Sequence, residues 1–195
     1  MLILLVGDSH CQKLHESFKQ VSPDDRVITV SVGSNIAAII SHYNERLATI
    51  RHLRPDCVVV HVGHNDMSFH PHKNTLPRIS RDVTSDILAF ASSIRSDIPN
   101  ARILLSSILP RKPSHINQMS AEKTDKYNKL AVRHGLRLRK LGSQAGFEVL
   151  MNTVMWKRVY KYEPNNELLL IDGLHLTDEG MKILVQDWMK LIKVS

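Results

Sequence analysis

Short unbroken apolar runs alternate along this chain with stretches whose apolar residues recur every three or four positions. Leu2–Val6 reads as a buried strand, followed by a helix over Ser9–Lys19. Arg26–Val32 is a second strand, with Ser22, Pro23 and Asp24 supplying the turn before it. Ile36, Ile39, Ile40, Tyr43, Leu47 and Ile50 place one helical stripe over Asn35–Leu53, closed by Pro55, and Cys57–Val62 is a third strand. After the polar stretch Asp66–Pro77, Ile79, Val83, Ile87, Leu88, Phe90, Ala91 and Ile94 form another helical stripe. Arg102–Leu109 predicts a fourth strand and Phe147–Leu150 a fifth. Ser120 opens a long helix without a capping box, and Thr177 caps a last helix running to Lys193. Strands alternating with helices at this spacing predict a parallel sheet covered on both faces.

The first three apolar runs end at Gly7-Asp8-Ser9, Gly33-Ser34-Asn35 and Gly63-His64-Asn65-Asp66. On neighbouring parallel strands these ends open into one crevice, where open α/β sheets bind ligands. Taken singly, the glycines are sharp turns, Ser9 is a helix cap, Asp172 a turn residue and His175 a packing histidine. Taken together they are the inventory for acyl transfer by a serine. Ser9 needs a base, which His175 supplies. Asp172 stands three residues earlier and can orient the imidazole. The Ser9 and Gly33 amides and the Asn65 side chain are the candidate oxyanion donors. Asp66 is expected to accept backbone N–H bonds, and Asp8 to orient the turn beneath Ser9.

The 195 residues are expected to form one domain over 1–195, with an ordinary 43% apolar and 23% charged content. No apolar stretch approaches the ~20 residues of a membrane span, and Leu2–Val6 is too short for a signal peptide, so a cytoplasmic location is expected. Cys11 and Cys57 have no CxxC partner, and Cys57 reads as a buried, inert thiol. His61, His64, His70 and His72 lack regular ligand spacing, so no metal is expected. The net charge of +7 draws attention to Lys126, Lys129, Arg133, Arg137 and Lys140 on one side of the long helix. Tyr127, Leu130, Ala131, His134, Leu138 and Leu141 form its apolar face. That basic stripe, Lys126–Lys140, offers a surface for nucleic acid or an anionic membrane. A non-catalytic module using it, or a small-molecule binder using the strand-end glycines, are the alternatives to an enzyme.

Four blocks, GDSH at Gly7, the glycine Gly33, GHND at Gly63 and DGLH at Asp172, occur in an order that resembles the SGNH hydrolases, also called GDSL-like esterases and lipases. The resemblance implies a flavodoxin-like three-layer α/β/α sandwich with a five-stranded parallel sheet. It also implies hydrolysis of carboxylic esters, among them lipids, acetylated sugars and small acyl esters, without a metal or organic cofactor. Ser9 would be the nucleophile, His175 the base and Asp172 its partner. Gly33 and Asn65 would hold the oxyanion with the Ser9 amide. His10 stands where many relatives have Leu, and would bring a second imidazole near the site and alter substrate choice. The phrases HVGHND, LLSSILPRK and DGLHLTDEG are also similar to esterase domains of some animal non-LTR retrotransposons, which implies work near nucleic acid or membranes.

Overall fold

A computed structural model describes residues 1–67 and 80–194. Five strands form one parallel sheet: β1 (Leu2–Gly7), β2 (Arg26–Ser31), β3 (Cys57–His61), β4 (Arg102–Ser106) and β5 (Glu148–Leu150), in the order β2-β1-β3-β4-β5. The period-2 alternation of strand side chains sorts the core into two halves. Leu4, Val6, Val58, Val60 and Leu105 face α2 (Ile36–Glu45), α4 (Ser80–Asp97) and α5 (Ala121–Gln144). Ile3, Leu5, Val59 and Leu104 face α1 (Ser9–Val21) and α6 (Asp178–Ile192). Both faces of the sheet are therefore covered, as the unbroken apolar strands require. Between β5 and α6 lies a small antiparallel pair, β6 (Trp156–Arg158) and β7 (Glu163–Pro164).

The expected Asn35–Leu53 helix is two helices. The chain breaks at Arg46 (φ −105°, ψ 1°), and α3 (Leu47–Leu53) continues on a new axis with Ile50 buried. The apolar spacing runs across the break because Tyr43, Leu47 and Ile50 still point toward the core. The fourth strand stops at Ser106, three residues early, although Ile108 and Leu109 remain buried beyond it. Ser120 does cap α5, accepting from the Lys123 amide at 3.2 Å, and Thr177 caps α6 by accepting from Gly180 at 3.0 Å. Cys11 and Cys57 are buried thiols outside any disulfide, and burial pushes Cys57 up to about 12.

On α5, Lys126 and Lys129 pair with Glu122 and Asp125 one turn back, at 2.7 Å each. Part of the basic stripe is thus balanced within its own helix. Among the described residues no helix is long and apolar enough to cross a membrane.

Candidate active site

β1 and its two neighbours deliver the site, because Gly7 stands level with Ser31 of β2 and His61 of β3. The turns after these three strands emerge side by side at one edge of the sheet. Gly7 is required there by close approach: a Cβ on it would lie 2.2 Å from the His61 carbonyl oxygen and 2.4 Å from Cys11 Sγ. The next residue, Asp8, is the N-cap of α1, its Oδ1 accepting from the His10 amide at 3.0 Å. Ser9 is therefore not the cap; it is the first helical residue, half-buried, with its hydroxyl directed across the gap to the C-terminal segment.

There Ser9 Oγ stands 3.4 Å from His175 Nε2, and His175 Nδ1 stands 2.6 Å from Asp172 Oδ2. Asp172 Oδ1 also accepts the Leu174 and His175 amides at 2.9 and 3.0 Å, closing a tight turn in which Gly173 has φ +72°. Partial burial raises the Asp172 pKa, but the His175 bond and the two amides outweigh it, so the carboxyl stays below its ordinary range and ionised. The imidazole is consequently held with Nδ1 toward a carboxylate and Nε2 toward the serine. A Ser–His separation of this length before substrate arrives is ordinary for such a pair and tightens on binding.

Gly33 and Asn65 follow β2 and β3, flanking the Ser9 turn. The Asn65 Nδ2 donates to the Ser34 carbonyl at 2.9 Å, tying the two flanking turns together over β1. Asp66 does accept a backbone amide, but that of Ile36 across the gap, at 3.0 Å, so it fixes the start of α2. Unlike Gly7, Gly33 is under no steric demand, since a Cβ on it meets nothing within 4 Å. The segment Pro110–Gln118 meets the Asp172–His175 turn: Asn117 donates to the Asp172 carbonyl at 2.8 Å and the Lys112 amide to the Gly173 carbonyl at 3.1 Å. Much of Asp66–Pro77, with His70 and His72, lies outside the described residues.

Beneath Ser9 is a buried polar layer that the sequence reading did not assemble. Asp8 receives His10 Nδ1 on Oδ1 at 3.0 Å and faces His64 Nδ1 with Oδ2 at 3.1 Å. The Leu109 amide donates to His64 Nε2 at 2.9 Å, which leaves the His64 proton on Nδ1, toward Asp8. Burial raises the Asp8 pKa, but His10 and His64 overcome it and hold the carboxyl well below the usual range. Burial lowers His64 to about 4 against the pull of Asp8. It drives His61 well below the ordinary value, helped by His64. His61 Nδ1 meets Ser106 Oγ at 2.8 Å; Asn152 bonds the same hydroxyl and the Ser107 carbonyl, and accepts from Trp188 Nε1 at 2.7 Å. His61 and His64 lack regular ligand spacing in the sequence, yet the fold brings a carboxylate to them. Asp8 joins them because its neighbour Gly7 is paired with His61 in the sheet, although the two segments lie far apart in the sequence. Asp8, His10, His61 and His64 together present ligand-type atoms within 4.8 Å of one another.

His10 was expected to bring an imidazole near the site, and its ring centre lies 5.4 Å from that of His175. It is buried at 4% exposure, under the site rather than lining it, so it does not shape substrate choice by contact.

The model of the GDSL-like lipase/acylhydrolase family matches residues 7–183. Solved structures with the same fold include a putative acylhydrolase from Bacteroides fragilis (17% identity, TM-score 0.70, covering 98% of this chain and 87% of that one). A putative platelet activating factor from Streptococcus pneumonia has TM-score 0.75 at 18% identity, covering 97% and 83%. A catalytic mutant of an acetylxylan esterase from Geobacillus stearothermophilus has TM-score 0.71 at 14% identity, covering 100% and 94%. At these identities the likeness is one of fold. No curated protein matches the chain.

Proposed function

Since the chain belongs to the GDSL-like lipase/acylhydrolase family and is a carboxylic ester hydrolase, we propose that it works through Ser9, His175 and Asp172 by way of an acyl-serine. The observation that carries this reading is the line of contacts from Ser9 Oγ to His175 Nε2 (3.4 Å) and from His175 Nδ1 to Asp172 (2.6 Å). Ser9 Oγ attacks the ester carbonyl carbon while its proton passes to His175 Nε2. The charge that develops on the carbonyl oxygen meets the Ser9 and Gly33 amides and the Asn65 side-chain amide. Collapse expels the alcohol, which takes the proton from His175. Water then repeats the sequence on the acyl-serine: His175 accepts a proton from water, and returns it to Ser9 Oγ as the acid leaves. Asp172 stays ionised throughout and stabilises the imidazolium. The substrate we propose is an acyl or acetyl ester, of a lipid, a sugar or a small alcohol; the acetylxylan esterase fold relative makes acetyl esters a natural first choice.

The test is hydrolysis of p-nitrophenyl acetate and butyrate by wild type and Ser9→Ala side by side. Turnover is expected in wild type alone, with a labelled fluorophosphonate adding to Ser9 and not to the variant. Equal rates in the two proteins would overturn the serine mechanism.

A further inference from the structure

We propose that His10 is a positioning residue of the reaction, a buried brace that fastens the turn carrying Asp172 and His175 to the turn carrying Ser9; the proposal rests on the serine mechanism above. The nucleophile and the base come from opposite ends of the chain, 166 residues apart, and function only if the two turns keep one spacing. Ser9 is followed at once by His10, and His10 Nε2 donates at 3.2 Å to the carbonyl of Leu174, the residue immediately before His175. On its other side His10 Nδ1 donates at 3.0 Å to Asp8, the cap of the helix that holds Ser9. One ring thus spans from the residue before the nucleophile to the residue before the base.

The ring cannot swing away, because other rings enclose it: His64 at 4.7 Å, His175 at 5.4 Å and His61 at 5.9 Å between centres. Its two partners, a carboxylate and a carbonyl, are both acceptors, so the ring makes both bonds only with a proton on each nitrogen. Support of this kind, through a second layer of bonds, is what holds a reacting pair to within tenths of an ångström.

The same residues have the chemistry of a metal centre, but their bonds assign them otherwise. Asp8 Oδ1 and Oδ2 already face His10 and His64. The Leu109 amide, aimed at His64 Nε2, keeps the proton on Nδ1, the atom a metal would need bare.

Three substitutions separate bracing from packing. His10→Leu fills the space and makes neither bond. His10→Asn reaches Asp8 but not Leu174, whereas His10→Gln places an amide N–H near the position of Nε2 and can still reach Leu174. In p-nitrophenyl acetate hydrolysis, Leu and Asn are expected to lower kcat about 10- to 100-fold with KM little changed, and Gln to recover most of that loss. The active-site fraction, titrated with fluorophosphonate, corrects for any misfolded enzyme. In wild type, long-range 1H–15N spectra are expected to show a proton on His10 Nε2. Wild-type kcat in the Leu and Asn variants, an equal loss in all three, or an unprotonated Nε2 would each overturn the brace while leaving the serine mechanism intact. Activity lost on EDTA treatment and restored by Zn2+ would make the cluster a metal centre and overturn it too. Ser9→Ala turning over at the wild-type rate would overturn the mechanism and the brace together.

Discussion

Asp172 shows how much chemistry one side chain can organise within four residues. Its two oxygens accept the His175 ring and two successive amides, so the carboxylate builds the turn and sets the imidazole in one step. Asp172→Asn keeps an oxygen for the amides but offers a choice of ends to Nδ1, and the ring can adopt the tautomer whose Nε2 proton faces Ser9. A loss of roughly 10⁴ in kcat is expected, with little change in folding; a loss under about tenfold would remove Asp172 from its proposed role. These residues were legible in the sequence because their spacing is local: Asp172 and His175 lie three apart, and Ser9 stands two residues past the glycine that ends a strand. The His10 partners were not legible in the same way. A bond to Leu174 spans 164 residues and ends on a backbone carbonyl, which leaves no trace in side-chain type.

The elements that carry the site are fixed by how tightly they pass one another. β1 and β3 approach so closely at Gly7 that a methyl group there would overlap the His61 carbonyl and Cys11 Sγ. Gly7→Ala must move the end of β1 and with it Asp8 and Ser9. We expect a loss of about 1–3 kcal/mol in urea denaturation, together with loss of esterase activity in the protein that remains folded. A substitution that left both untouched would show that the close approach at Gly7 does not fix the turn. On the other face, α5 buries His134, whose two ring nitrogens find no partner among the described residues. His134→Leu removes a desolvated polar ring and is expected to stabilise the protein by about 1 kcal/mol at neutral pH. Strand and helix identities were readable from periodicity, since each element turns an apolar face to the sheet. The break at Arg46 was not, because a change of backbone angle between two helices leaves the apolar stripe in register.

At the scale of the whole molecule, the buried histidines make stability a function of pH. Burial lowers His64 to about 4 and His134 to about 3, and takes His61 well below its ordinary value. In the unfolded chain the same rings take up protons near pH ~6.5. Below that pH the unfolded state therefore binds more protons than the folded state, and stability falls as pH falls. Each ring costs ~1.4 kcal/mol per pH unit until its folded pKa is reached. His64 and His134 together make a slope of roughly 3 kcal/mol per unit from about pH 6.5 to 4, to which His61 adds in the same direction, against a total of about 5–15 kcal/mol for a typical domain. Asp8 adds little in most of this window, because its folded pKa lies below the unfolded carboxylate value, and most of what it contributes is lost in stronger acid. Acid also protonates exposed histidines on a chain that already carries +7, which adds repulsion in the same direction. Urea titrations at a series of pH values are thus expected to lose stability steeply between pH 6.5 and 4, with unfolding complete near the lower end. His134→Leu should flatten that slope by about one proton's worth, and a wild-type stability level from pH 7 to 4 would show that the three rings are not buried neutral.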